Sequence, residues 1–182
     1  MAFAAAQRQS SRRLVASTTS ASQVQWRIVN QKVFLSCITR AGVAGSKSNV
    51  HRLVGRGLRR VMQSNAAYAL LPDGTWNAGG CWTLAAAFKA WVGNRGKLVA
   101  VASHRNRTEH VVVKVGDVYY DADGAQSYAS LLRKMEQVER VQTPRLAPFR
   151  RTHAGEISCS RSAVVKLQHL LTSNLGQSPF KK

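Results

Sequence analysis

The chain has 182 residues and a strong excess of positive charge, with 27 Lys and Arg against 8 Asp and Glu and a formal net charge of +19. Its length suits one domain with appendages. So large a charge predicts an anionic partner. The three cysteines, Cys37, Cys81 and Cys159, have no metal-ligand spacing and no CxxC pair. Neither a zinc site nor a disulfide framework is therefore predicted.

The cysteine pattern favours a cytoplasmic or other reducing compartment, and association with a virion also fits the charge. No stretch approaches the roughly 18 apolar residues that a membrane span needs. Residues 1–23 are rich in Ala, Ser, Thr and Arg and contain no acidic residue. That composition fits an organellar transit peptide, and it equally fits a basic arm that orders on an anionic polymer.

Positive charge is concentrated in the first part of the chain, since residues 1–72 contain eleven Lys and Arg and no acidic residue. The apolar spacing predicts an amphipathic helix from about Val50 to Ala67, weakened by Gly55 and Gly57. Its arginines are either solvated or form a phosphate-binding face. The candidate contacts to nucleic acid or another polyanion include Arg12, Arg13, Arg52, Arg56, Arg59 and Arg60.

Periodicity and turn residues predict the remaining elements. They are, in chain order, a strand or short helix within 24–39, a turn at Pro72-Asp73-Gly74, a helix over Cys81–Val92 ended by Gly93, a strand over Lys97–Ser103, a hairpin of His110–Val115 and Val118–Asp121, a helix over Ser127–Val138, an irregular basic connector over 140–159, and a helix over 160–173. In the Ser127–Val138 helix the predicted buried face holds Leu131, Leu132, Met135 and Val138.

Cys81 is predicted to open a helix directly after two glycines, where unpaired backbone N–H groups favour a thiolate and can hold an oxyanion. Taken alone, such a cysteine is more often a small buried hydrophobe. The hairpin changes that interpretation. If Gly116 and Asp117 form its loop, residue 112 pairs with 121 and residue 110 with 123, so His110, Asp121 and Asp123 share one face. The order indicates a nucleophile, a base and an orienting acid.

Gly79-Gly80-Cys81-Trp82 resembles the Gly-Ser-Cys-Trp signature of papain-type peptidases, and the Cys, His, Asp order resembles the papain-like superfold. Cys81 and His110 are only 29 residues apart, and Thr75 stands six residues before Cys81 where papain has a glutamine. The chain is therefore not a papain orthologue. It looks closer to the transglutaminase-like and arylamine N-acetyltransferase branches and to compact bacterial and phage papain-like proteins. The resemblance covers residues 70–130.

The resemblance implies an α+β fold in which the Cys helix packs against an antiparallel sheet. The thiol core would span 49–140, with a basic, partly irregular N-terminal arm over 1–48 and a basic connector and C-terminal helix over 141–182.

For function, the resemblance implies a cysteine-dependent hydrolase or acyltransferase that acts on a peptide or acyl substrate without metal or cofactor. Cys81 would be the nucleophile, His110 the base and Asp121 the orienting acid, with Asp123 as the alternative acid. Asn77 is a weak candidate for an oxyanion donor and is more often a turn residue. The alternative function is a non-enzymatic structural or nucleic-acid-associated protein, such as a virion component, that keeps the same scaffold.

Overall fold

The structure is a computed structural model that describes residues 47–71, 75–77, 79–150 and 159–181. Several predictions fall outside these residues. They concern the N-terminal arm with Arg12 and Arg13, the segment 24–39 with Cys37, the Pro72-Asp73-Gly74 turn, and residues 151–158 of the basic connector.

Helices and one antiparallel sheet make up the described residues, which confirms the α+β class. The helices are α1 (Lys47–Met62), α2 (Asn65–Tyr68), α3 (Cys81–Val92), α4 (Tyr128–Gln137) and α5 (Arg161–Leu175), with a 3-10 turn at Gly93–Arg95. The strands are β1 (Gly96–Ala102), β2 (Thr108–Val115), β3 (Val118–Asp121), β4 (Gly124–Gln126) and β5 (Arg145–Pro148). The sheet order is β4-β3-β2-β1-β5. Within these ranges, no helix has the length and apolar character needed to cross a membrane.

The hairpin of β2 and β3 has the predicted register next to its two-residue loop, but the predicted pairing of residue 110 with 123 does not form, because β3 ends at Asp121 and turns into β4. Val115 pairs with Val118, Lys114 with Tyr119 and Val113 with Tyr120. Gly116 begins the turn with a φ of 61°, a left-handed conformation that glycine adopts without steric cost. This register fixes which residues of the two strands share a face.

Alternation along β2 divides the apolar residues between the two faces of the sheet. Val111 and Val113 pack with α1, α3 and α5, while Val112 packs with Leu131 and Met135 of α4. Helices therefore cover both faces. His110 and Asp121 are two residues from Val112 and Tyr119 respectively, which places them on the face that α4 covers.

The core extends past residue 140. β5 pairs with β1 through Leu146 and Val101, although the segment was expected to be irregular. Its Pro148 is tolerated because β5 is an edge strand. On the other side of the sheet, Leu167 and Leu171 of α5 are fully buried. The Trp91 indole N–H of α3 donates to the Gly176 carbonyl at 3.0 Å, which ties the end of α5 to the Cys helix.

Gly55 allows α1 to lie directly against β4. A Cβ built on Gly55 would lie 2.5 Å from the Ala125 Cβ and 2.6 Å from its backbone nitrogen. Gly124, at a φ of 99°, meets the same point, because a Cβ there would lie 2.4 Å from the Gly55 carbonyl oxygen. The glycine that lowers the helix propensity of α1 is thus required by its packing.

Substitution Gly55→Ala tests this contact. Alanine favours an isolated helix by up to about 1 kcal/mol, but the clash with Ala125 is expected to destabilise the protein by about 1–3 kcal/mol overall. Urea unfolding would measure the difference. Arg56→Ala, at the adjacent exposed position, is the control and should change stability by less than about 0.5 kcal/mol. An increase in stability for Gly55→Ala would contradict the close contact between Gly55 and Ala125.

Candidate active site

Two glycines position Cys81 at the start of α3. Gly79 has a φ of 94°, and the Gly80 N–H donates to the Thr75 carbonyl at 3.1 Å. A Cβ on Gly80 would lie 2.7 Å from Leu71 Cδ2 and 2.9 Å from Trp76 Cε3. Glycine is therefore needed for the chain to turn tightly against these side chains, and the turn makes Cys81 the first residue of the helix.

Cys81 is only 2% exposed and its thiol lies beside His110. Burial alone would raise the pKa of this thiol, but the neighbouring imidazole outweighs burial and lowers the pKa. The backbone amides of Val111 and Trp82 act in the same direction. The Trp82 amide is one of the unpaired N–H groups of the first helical turn, so the helix start supports a negative charge on sulfur.

His110 lies near the start of β2, next to an irregularity in the sheet. Val101 pairs with His110 but Ala102 pairs with Thr108, so Glu109 is an extra residue on β2. A bulge of this kind bends a strand and re-aims the side chains beside it. The imidazole is 1% exposed, and its Nε2 lies 3.6 Å from Asp121 Oδ2. Neither ring nitrogen of His110 meets a partner in hydrogen-bond geometry in this arrangement.

The pKa of His110 is raised to about 9. Burial acts to lower this pKa, but the Asp121 carboxylate and the Cys81 thiol outweigh it. The 3.6 Å separation from Asp121 is longer than a hydrogen bond, so the contact is an ion pair in this resting arrangement. Together, the shifts of Cys81 and His110 favour a thiolate and an imidazolium.

Asp121 is the carboxylate that faces His110. Its Oδ1 accepts hydrogen bonds from the Asp123 backbone N–H at 2.9 Å and from Gln126 Nε2 at 2.7 Å. Lys134 Nζ lies 2.9 Å from Oδ2. Burial raises the pKa of this carboxyl, but His110 and Lys134 outweigh burial and lower the pKa to about 2. Asp121 is therefore ionised across the physiological pH range.

Asp123, the alternative acid, has a different neighbour. Its side chain is 43% exposed and its carboxylate lies 2.5 Å from Lys134 Nζ. Asn77, the weak candidate for an oxyanion donor, is also close to this lysine, since its Oδ1 lies 3.4 Å from Nζ. The structure thus brings Cys81, His110 and Asp121 together and turns Asp123 and Asn77 toward Lys134.

Lys134 is the site residue that the sequence analysis missed. Its side chain is 14% exposed and contacts Asp121, Asp123 and Asn77. A signal was present in the sequence, because Lys134 falls on the same helical stripe as Leu131 and Met135, which are buried. A lysine within an apolar stripe indicates a buried acidic partner.

No protein-family model matches the chain, and neither a curated protein nor a solved structure matches it. In the described ranges, no group of three or more His, Cys, Asp and Glu side chains is arranged to hold a metal ion. The function of the protein is therefore inferred from the geometry of Cys81, His110 and Asp121.

The low pKa of Asp121 predicts a specific loss of stability in acid. A carboxyl whose folded pKa is about 2 rather than 3.8 stabilises the fold above pH 3.8, and this contribution is lost as the pH falls through 2. It amounts to about 2 kcal/mol. The free energy of unfolding can be measured with urea at pH 2 and at pH 5. Its change between these two pH values should be smaller by this amount in Asp121→Asn than in the wild type.

Asp117→Asn is the matched control, because Asp117 is exposed in the hairpin turn. It should follow the wild-type pH dependence. If Asp121→Asn is too unstable to measure, the carboxyl carbon resonance of Asp121 in the wild type gives the same answer. An inflection near the ordinary pKa of aspartate would overturn the prediction.

Proposed function

We propose that the protein is a cysteine-dependent acyl-transfer enzyme, a hydrolase or acyltransferase with a papain-like arrangement of Cys81, His110 and Asp121. The observation that supports it is a buried row of thiol, imidazole and carboxylate in which the pKa of the thiol is lowered and that of the imidazole is raised to about 9. The placement of the thiol at a helix start, with the other two groups on a hairpin, agrees with this proposal.

In the first half-reaction the Cys81 thiolate attacks the acyl carbon of the substrate, forming a C–S bond and a tetrahedral oxyanion. We infer that backbone N–H groups at the start of α3 stabilise this oxyanion, since the Trp82 amide already favours negative charge on the sulfur. The His110 imidazolium then gives its proton to the departing amine or alcohol as the bond to the acyl carbon breaks. A thioester on Cys81 and a neutral imidazole remain.

In the second half-reaction water or an amine attacks the thioester. His110 takes a proton from the attacking group, and the C–S bond breaks to release an acid or an amide. The thiolate and imidazolium are restored, so protons and electron pairs balance over the cycle. This chemistry needs a reduced thiol, which agrees with a cytoplasmic or other reducing compartment.

Lys134 acts on this cycle as a positioning residue. Its ammonium shares Asp121 Oδ2 with His110, at 2.9 Å and 3.6 Å respectively. It also joins the hairpin to the loop before the Cys helix through Asn77. Lys134 thereby fixes the carboxylate and offsets part of its charge, which limits how strongly Asp121 holds the proton on His110.

The nucleophile is tested in a variant that retains Cys81 as its sole cysteine, with Cys37→Ala and Cys159→Ala. The rate of alkylation by iodoacetamide should inflect at a pH below the ordinary pKa of a cysteine, because His110 stabilises the thiolate. His110→Gln should move the inflection upward. Treatment with p-nitrophenyl acetate should place an acetyl group on Cys81, visible by intact mass spectrometry and removed by hydroxylamine.

The matched control retains only Cys159, which is partly exposed and whose pKa is raised by burial. At pH 7 it should react about tenfold or more slowly than Cys81, since one unit of pKa changes the thiolate fraction about tenfold. A Cys81 that reacts no faster than Cys159, or that forms no acetyl adduct, would contradict the proposal.

Lys134→Met tests the positioning role. We expect the acetylation rate to fall by about tenfold to a hundredfold, because Asp121 and the Asn77 loop lose their shared anchor. The pH profile of Cys81 alkylation should also shift, since the unshared Asp121 charge raises the pKa of His110. Lys134→Arg, which keeps a cation, should preserve most of the profile.

Lys166→Met, on the exposed side of α5, serves as the control for the loss of a lysine. Coincident pH profiles for Lys134→Met and Lys166→Met would show that Lys134 has only a structural role.

A further inference from the structure

We propose that α1 and the β3–β4 region form a groove that binds the phosphodiester backbone of a nucleic acid. The groove has a volume of about 390 Å³. Arg52, Arg56 and Arg59 line it from α1, and Gln126 and Ser127 line it from the opposite side. This binding function is separate from the thiol chemistry, because neither Cys81 nor His110 lines the groove.

The three arginines lie on one face of α1, since their positions differ by four and three residues. All three are exposed. In the described part of the chain, Arg56 and Arg59 form no ion pair, and Arg52 donates to the neutral Asn49 side chain at 3.2 Å. Their charges are therefore available to a ligand. Arg60, which was predicted to belong to the same surface, does not line the groove.

The acidic residues of the groove only partly offset these charges. Asp117 and Asp123 both line it. Asp123 pairs with Lys134, but Lys134 also pairs with Asp121, so the charge of Asp123 is only partly offset. Three guanidinium groups thus face two carboxylates, and the lining residues keep a net positive charge. The net positive charge predicts an anionic ligand.

The regular spacing of charge in a phosphodiester chain suits this row of arginines better than an acidic peptide does. Seven residues of helix separate Arg52 from Arg59, a rise of about 10 Å. A nucleic-acid strand carries one negative charge at every nucleotide, so neighbouring phosphates can engage the guanidinium groups along this length. A peptide presents a carboxylate only where Asp or Glu lies on the facing side of its chain. Guanidinium also binds phosphate oxygens in pairs.

Contacts within the protein hold this wall of the groove in place. His51 Nδ1 lies 2.6 Å from the Tyr120 hydroxyl, and its ring packs on Phe180 with centroids 5.2 Å apart. Among the described lining residues His51 is the aromatic one, and its ring already packs with Tyr120 and Phe180. Recognition would therefore be directed mainly to the backbone and be weakly sequence-specific.

The test compares two full-length variants that each lose three positive charges. One is R52Q/R56Q/R59Q, and the other is R95Q/R133Q/R161Q, whose arginines are exposed elsewhere on the surface. Binding of a short fluorescein-labelled single-stranded DNA is measured by fluorescence anisotropy over a series of salt concentrations. The groove variant should bind about tenfold more weakly, and its salt slope should fall by about two, as expected for three lost phosphate contacts.

The control variant should stay within about twofold of wild type at the same salt concentration. Equal losses of DNA affinity in the two variants would overturn the groove as the binding site, because the overall positive charge of the protein would then explain binding. Poly-glutamate that displaces the DNA as well as unlabelled DNA does would assign the groove to acidic peptides instead. Circular dichroism checks that both variants are folded. The rate of Cys81 alkylation should be unchanged in the groove variant, which shows that a loss of DNA binding there is independent of the proposed thiol chemistry.

Discussion

The buried carboxylate of Asp121 is the group on which the arrangement of the site depends. An isolated ionised carboxylate in a protein interior is destabilising by several kcal/mol unless cations and hydrogen-bond donors surround it. Here the donors come from different elements: the β3–β4 turn and β4 at Oδ1, and α4 through Lys134 at Oδ2. His110 of β2 adds a second positive charge. Satisfying one anion therefore fixes the relative positions of four pieces of the fold.

The same turn that surrounds Asp121 also joins the two proposed functional surfaces. Gln126 donates to Asp121 at 2.7 Å and lines the arginine groove. Asp123 pairs with Lys134 and lines that groove as well. The tight contact of Gly55 with Ala125 holds α1 against this turn. A ligand in the groove would thus lie against residues that hydrogen-bond the carboxylate of the thiol site, without touching the thiol itself.

Local signals in the sequence were sufficient for the parts of the site that depend on neighbouring residues. Gly79-Gly80 and Gly93 bracket α3 as predicted, and Gly116-Asp117 sets the register that puts Asp121 near His110. The sequence did not predict features that depend on contacts between residues far apart in the chain. β5 forms because β1 offers an open edge, and Lys134 is buried because Asp121 lies above α4. Val138, predicted to be buried, is the C-cap of α4 and is 69% exposed.

The opposed pKa shifts of Cys81 and His110 have a consequence for proton balance. The raised pKa of His110 stabilises the fold fully below the ordinary imidazole pKa of 6.5, and this contribution is lost as the pH rises through about 9. The lowered pKa of Cys81 acts in the opposite sense, because its contribution is fully present above the ordinary thiol pKa of 9.0 and is lost as the pH falls. The two slopes therefore have opposite signs and offset each other between these limits. The fold can favour a thiolate beside an imidazolium while its stability depends less on pH than either shift alone would make it.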